Sequence, residues 1–521
     1  MRPAGARRVL AATMVVLLTG MLSNAPTALA IEPPSVDPAL VPPDAMPGPE
    51  QPMRQSNICA RAIAVATPDV GLPAPGFAML NVDRAWQYST GNGVAVAVID
   101  TGVNPNPRLP VVPGGDYIMG GDGLTDCDAH GTVVASVISA APRGAPMPPP
   151  MPPTPAFPPP SAGPAVTGGP PPPGSPELPP APPVLPVPPP PEPGMDPEVA
   201  PPAPDSPDGV AGVAPHATVI SIRQSSRAYE PESPEPGDIE ARRKAGTVVT
   251  LARAIVHAAD LGAQVINVSV TACVSAADPL DQRAIGAAVW YAATVKDAVI
   301  VAAAGNEGED GCAQNPAFNP LDVDDPRDWK HVKTISSPSW FTDYVLSVGA
   351  VDNTGAPLSK SLAGPWVGTA APGVGIMGLS PQTGDAVNAY PAIRPGESDI
   401  PFWGTSFSAA YVSGVAALVR AKYPELNAHQ VINRIRQTSH NPPRGVDNQV
   451  GYGVVDPVAA LTFDVPAGDQ QAPEARTRIV TAPSPPPPPD NRARTFAMTF
   501  AGTVAAAAVL AAAVLRARRA R

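Results

Sequence analysis

The chain has 521 residues, of which 77 are proline and 15% are charged, and its net charge is −11. That length suits one large domain or two to three ordinary ones, but proline at this level marks segments that cannot build a core, which excludes a uniform globule. The acidic balance, with basic residues clustered only at the last few positions, excludes a nucleic-acid binder.

Residues 1–30 have the layout of a secretory signal. Arg2, Arg7 and Arg8 precede an apolar stretch from Val9 to Leu22, and Ala28-Leu29-Ala30 sets cleavage after Ala30. Residues 31–85 form a Pro-rich extension with little apolar periodicity, expected to run extended against another part of the protein. From Gly91 the texture changes. The run "GVAVAVID" is short, apolar and ends in an acid, as a buried parallel strand does. "HGTVVASVISAA" has a helical pattern. Residues 142–208 are a Pro-rich insertion that favours polyproline II and solvent.

Order resumes with "HATVISIRQ", a strand, and "VVTLARAIVHAADLG", a helix with a glycine stop. "AQVINVSV" is a strand, "DQRAIGAAVWYAATV" a helix and "AVIVAAAGN" a strand. Two more strands, "YVLSVGAV" and "WVGTAAPG", precede the helices "TSFSAAYVSGVAALVRAKY" and "NAHQVINRIRQTS". Strands alternating with helices predict an α/β fold with a mainly parallel sheet covered on both faces. The insertion then lies in a surface connection between helix and strand, where added length costs little loop-closure entropy. Residues 466–494 read as a linker. Phe496 to Leu515 carries no charge and is long enough to cross a bilayer, and the arginines of the 516–521 tail mark its cytoplasmic end. A signal plus this stop-transfer segment puts everything between them outside the cytoplasmic membrane, in a single-pass arrangement.

The four cysteines, Cys59, Cys127, Cys273 and Cys312, suit an exported chain with two disulfides, for which three pairings exist. There is no CxxC pair to point to a metal, and no cofactor is expected. Three segments carry candidate chemistry. Asp100 ends a buried strand, where a carboxylate needs partners. His130 opens a helix beside Gly131, which permits close backbone approach. Ser406 sits at a helix N-terminus, a position that serine often takes simply as a cap.

Taken together, in the order Asp, His, Ser, these segments resemble the subtilisin-like serine proteases. The resemblance covers roughly Trp86 to Pro457 apart from the insertion, and rests on "VIDTG", "HGTVVA", "AAGNEG" and "GTS…VSG", with "GVAPHA" at 212–217 and "GYGVVD" at 451–456. It implies a subtilisin-like fold and an Asp100–His130–Ser406 triad, with Asn306 as the oxyanion-hole amide. Two positions depart from the pattern: Ala410 stands where the family usually has proline, and "TAC" after "INVSV" replaces a glycine-rich stretch.

The signal, the Cys-bearing Pro-rich extension, the linker, the membrane segment and the wording "DCDAHGTVVAS" and "GTSFSAAYVSG" are similar to the mycosins. These are membrane-anchored subtilisin-like proteases of type VII secretion systems. The resemblance implies a serine endopeptidase that cleaves secreted protein substrates, partners in the secretion membrane complex, and a catalytic domain on the extracytoplasmic side of the cell membrane. A mainly structural subunit of that complex, with proteolysis dispensable, is the competing expectation. The expected disulfides are Cys59–Cys127 and Cys273–Cys312. Cys273 and Cys312 each follow a strand, and those strands are expected to be neighbours; Cys59–Cys127 would tie the extension close to His130 as a retained wrap.

Overall fold

The computed structural model describes residues 31–143, 207–233, 245–277, 280–309, 311–316, 325, 327–443, 445–471 and 492–519. The expected signal, nearly all of the Pro-rich insertion and most of the expected linker lie outside the described residues. The chain divides into two compact units, Met1–Ala475 and Arg476–Arg521.

The first unit is built on seven strands: β1 (Ala95–Asp100), β2 (Val111–Asp116), β3 (Thr218–Arg223), β4 (Val265–Val268), β5 (Val299–Ala303), β6 (Val345–Val351) and β7 (Val367–Pro372). Their order is β7-β6-β5-β4-β1-β3-β2, and every neighbouring pair is parallel. Its longer helices are α1 (His130–Ser139), α2 (Val248–Asp260), α3 (Arg283–Trp290), α4 (Thr405–Lys422) and α5 (Ala428–Thr438).

The continuous apolar runs of the strands follow from burial on both faces. Successive side chains alternate sides. Val96, Val98, Val299 and Val301 join the core with Val133 of α1, Val412 and Val415 of α4 and Val431 of α5. Ala97, Ile99, Ile300 and Ala302 point the other way and pack with Ile255 of α2 and Ile285 of α3. Each fully buried Val or Ile here is worth about 1.5–3 kcal/mol.

The sequence reading missed β2. Its "VVPGGD" resembles a turn, yet it is an edge strand, where proline is tolerated, and its register with β3 shifts between Pro113 and Asp116. Also unforeseen was a small antiparallel pair, Ala272–Ser275 with Thr334–Ser337.

α4 is the central helix. Every residue from Thr405 to Arg420 is buried. A helix enclosed on all sides needs small side chains at its close contacts, and α4 supplies Ser408, Ala409, Ala410, Ser413 and Gly414. A Cβ on Gly414 would fall 2.5 Å from the Val213 Cβ.

The extension is more than an extended strap. Met53–Gln55 pairs antiparallel with Tyr229–Pro231, and the Val65 amide donates to Asn388 Oδ1 at 2.7 Å. Two short helices follow, Pro75–Met79 and Val82–Ala85. Phe77, Leu80, Val82 and Ala85 are buried in the same core as α4.

The second unit holds α6 (Arg492–Arg519). It contains the predicted membrane segment, but its described side chains begin at 502, and among the described residues no helix is long and apolar enough to cross a membrane. The described apolar side chains of α6, including Val509, Leu510, Val514 and Leu515, are all exposed.

Candidate active site

Parallel strands deliver their C-terminal ends to one edge of the sheet, where ligands collect. Asp100 is the last residue of β1, and Asn306 lies three residues beyond β5. His130 is the first residue of α1 and Ser406 the second of α4. Segments separated by hundreds of residues in sequence thus meet at one place.

Asp100 is fully buried, and His130 Nδ1–H donates to its Oδ1 at 2.7 Å. The Thr101 amide donates to the same oxygen at 2.7 Å. This contact fixes the imidazole tautomer and leaves Nε2 as the free basic nitrogen. Burial works against a charge on His130, but the attraction and hydrogen bond of Asp100, helped by Asp126, outweigh it and hold the imidazole above its ordinary pKa. The His130 and Phe407 rings lie 5.1 Å apart, so α1 and α4 touch at their first turns.

α1 starts without a capping side chain of its own, because its N-cap residue, Ala129, has no acceptor to offer; Ala129 adopts a left-handed conformation with φ 57°. Its first amides are satisfied from outside the helix. Gly131 N–H donates to Thr101 Oγ1 at 2.9 Å, and Thr132 N–H to Asp126 Oδ2 at 2.8 Å. Thr101 Oγ1 in turn donates to Asp126 Oδ1 at 2.9 Å. Gly131 is required, since a Cβ there would fall 2.1 Å from the Gly102 carbonyl oxygen. Burial pushes the Asp126 carboxyl up to about 6 despite these hydrogen bonds. Asp128 is raised as well, chiefly by burial; it accepts hydrogen bonds from Ser226 Oγ and, at 2.8 Å, from the Arg227 amide.

Ser406 Oγ donates to the Ser269 carbonyl at 3.0 Å, and among the described residues no hydrogen bond joins it to His130. Active-site hydrogen bonds are often loose before substrate binds. As the second residue of α4, Ser406 has no intrahelical partner for its own amide, which remains available at the helix N-terminus. Asn306 lies beside it. Its Oδ1 accepts from the Thr405 amide at 3.0 Å and from Thr405 Oγ1 at 3.1 Å, while its Nδ2 donates to Glu309 Oε2 at 3.2 Å. Gly404, at φ 137°, lets the chain pass here; a Cβ would sit 3.1 Å from Asn306 Nδ2.

Cys59 is bonded to Cys127, and the Ala60 amide donates to the Cys127 carbonyl at 2.7 Å, so the extension is fastened to the loop that leads to His130. Cys273 is bonded to Cys312, with both sulfurs about a van der Waals contact from the position of a Cβ on Gly305, next to Asn306. Sequence reading did not single out Ser269, Thr101, Asp126, Asp128 or Glu309. Two acids shortly before His130 in "DCDAH" were the available signal for Asp126 and Asp128. Three of the other five histidines pair with acids elsewhere: His257 with Asp44, His331 with Asp328 and His440 with Asp456.

A seven-stranded parallel sheet with Asp100, His130, Ser406 and Asn306 at one edge defines a subtilisin-type hydrolase. Residues 91–453 match the Subtilase family, Peptidase_S8. Mycosin-2 of Mycobacterium tuberculosis is 63% identical over 99% of this chain and 98% of its own length. Among solved structures, the periplasmic assembly from the ESX-5 inner membrane complex contains a chain 49% identical, aligned over 88% of this chain and 100% of that one with a TM-score of 0.68. MycP1, a serine protease and essential component of the type VII (ESX-1) secretion system, is 42% identical over 83% of this chain and 100% of its own, with a TM-score of 0.67. The chain belongs to the mycosins, subtilisin-like serine proteases of the subtilase family.

Proposed function

We propose that this protein is the serine endopeptidase of a type VII secretion membrane complex, with Asp100, His130 and Ser406 as its triad. The observation that carries the chemistry is the 2.7 Å contact between His130 Nδ1 and Asp100 Oδ1 at the sheet edge that also holds Ser406. For attack, the Ser406 hydroxyl turns from the Ser269 carbonyl to Nε2 of His130, which takes its proton as Oγ bonds to the peptide carbonyl carbon. Asp100 stabilises the imidazolium, which then returns the proton to the leaving amine. The Ser406 amide and the Asn306 side-chain NH₂ bind the oxyanion. Water then releases the acyl group by the same steps in reverse.

The sign of the pH dependence follows from the state that His130 needs. Only the neutral imidazole is a base, and its pKa in the fold is raised, so activity is absent at acidic pH and appears as pH rises through a value above the ordinary histidine range. Asp126, at about 6, titrates nearby, so the acid limb belongs to a coupled set. A kcat/KM profile measured from pH 5 to 9 is expected to climb toward the alkaline side; a flat profile from pH 5 to 8 counts against His130 as the base.

The domain plan follows: extension 31–85, peptidase domain 86–465, linker 466–494, a membrane helix at 495–515 and a cytoplasmic tail. Single-pass anchoring is supported by the uncharged run Phe496 to Leu515, by the arginines after it, and by the exposure of the described apolar side chains of α6. The ESX-5 assembly supports a second contribution, as a building element of the complex. A strain lacking the gene is expected to lose export. Ser406→Ala should restore export and leave substrates uncut, and a chain lacking 496–515 should restore neither. Failure of Ser406→Ala at normal abundance would make proteolysis itself the essential contribution.

A further inference from the structure

The Asn306 amide proposed for the oxyanion has one of its two N–H groups engaged. Its Nδ2 donates to Glu309 Oε2 at 3.2 Å, and a carboxylate held at that nitrogen repels the negative oxygen that the amide would have to bind. Glu309 is held there by its own turn. Its amide donates to the Asn306 carbonyl at 3.1 Å, and its carbonyl accepts from the Cys312 amide at 2.8 Å. The Cys273–Cys312 disulfide ties the end of that turn to the Ala272–Ser275 strand. From the opposite loop Arg227 Nη2 approaches the same Glu309 oxygen at 3.8 Å, and the Arg227 amide is itself bound to Asp128, two residues before His130. The carboxylate therefore faces both the oxyanion loop and the Arg227 loop, whose backbone is bound to the histidine loop.

We infer that Glu309 is a resting-state cover of the oxyanion hole, which a substrate carbonyl must displace before Ser406 can react. This rests on the proteolytic reading of the site. Displacement exchanges one hydrogen bond to the Asn306 amide for another and frees Glu309 to solvent, to which it is already partly open, with 38% of its side chain exposed. The cost falls between free enzyme and bound substrate. It therefore lowers kcat/KM through KM and leaves kcat nearly unchanged, since in the bound complex the carboxylate has already left.

A fluorophosphonate probe tests this without a known substrate. Ser406 Oγ attacks its phosphorus, fluoride departs, and the phosphoryl oxygen enters the oxyanion hole. Glu309→Ala is expected to raise the second-order labelling rate about three- to tenfold, the range for a charge-assisted hydrogen bond discounted for exposure. The shape-conserving Glu309→Gln should shift it in the same direction by less. In an Asn306→Ala background, Glu309→Ala is expected to change nothing, because no amide remains to uncover. Unchanged or slower labelling of the single variants, or acceleration that persists without Asn306, would overturn the proposal. Labelling of Ser406→Ala would instead bring down the proteolytic reading, and this proposal with it.

Discussion

Replacing Ser406 with alanine is expected to remove nearly all peptide hydrolysis, and adding His130→Ala to that variant is expected to cost almost nothing more. In the proposed triad the two side chains act on one proton, so once the nucleophile is gone the base has no task left. In subtilisin, losses of this kind reach about 10⁶ in kcat and do not add. The fold should tolerate the change: Ser406 loses one hydrogen bond to the Ser269 carbonyl, worth about 1 kcal/mol, and leaves a void the size of one oxygen. Turnover of a fluorogenic peptide by the single and double variants, with melting curves beside them, decides the matter. Multiplying losses would mean that Ser406 and His130 work on separate steps, and the triad would have to be abandoned.

Asn306→Ala is the second large effect. In the proposed oxyanion hole the lost side-chain NH₂ would serve charge that exists only in the transition state, so kcat should fall about 10²–10³-fold while KM stays close to its original value. The same substitution removes the acceptor for the Thr405 amide and hydroxyl, which adds a modest stability loss at the start of α4. Asn306→Asp separates the two effects. It keeps an acceptor for Thr405, loses the donor and adds a charge beside Glu309, so it should be at least as slow as alanine and better folded. A normal kcat in both variants would remove Asn306 from the oxyanion hole.

The site and the fold were legible to different depths for physical reasons. Doubly buried strands write themselves as unbroken apolar runs, so β1, β3, β4, β5, β6 and β7 were all visible. β2 was not, because an edge strand tolerates the Pro113-Gly114-Gly115 that elsewhere makes a turn. Asp100, His130, Ser406 and Asn306 stand in local wording that resembles a family, whereas Ser269 reaches Ser406 only through the folded chain, and Asp126 and Glu309, though near His130 and Asn306 in sequence, show their contacts only once the turns are built. The extension was hardest to read. Its buried residues, Phe77, Leu80, Val82 and Ala85, lie in turns too short to show a helical period, so a part of the core looked like a loose strap.

The place of α4 also sets when the enzyme comes into being. Gly76 of the extension packs so closely on Tyr411 of α4 that an added Cβ would sit 2.7 Å from its hydroxyl, and Val65 bonds to Asn388. The earliest and latest thirds of the polypeptide thus depend on one another, and contacts so distant in sequence form slowly. A growing chain holds Asp100 and His130 long before it holds Ser406, and the helix that carries the serine has no home until the sheet is complete. Synthesis order and folding together leave the nascent protein without its proposed nucleophile in place until most of the chain has been made.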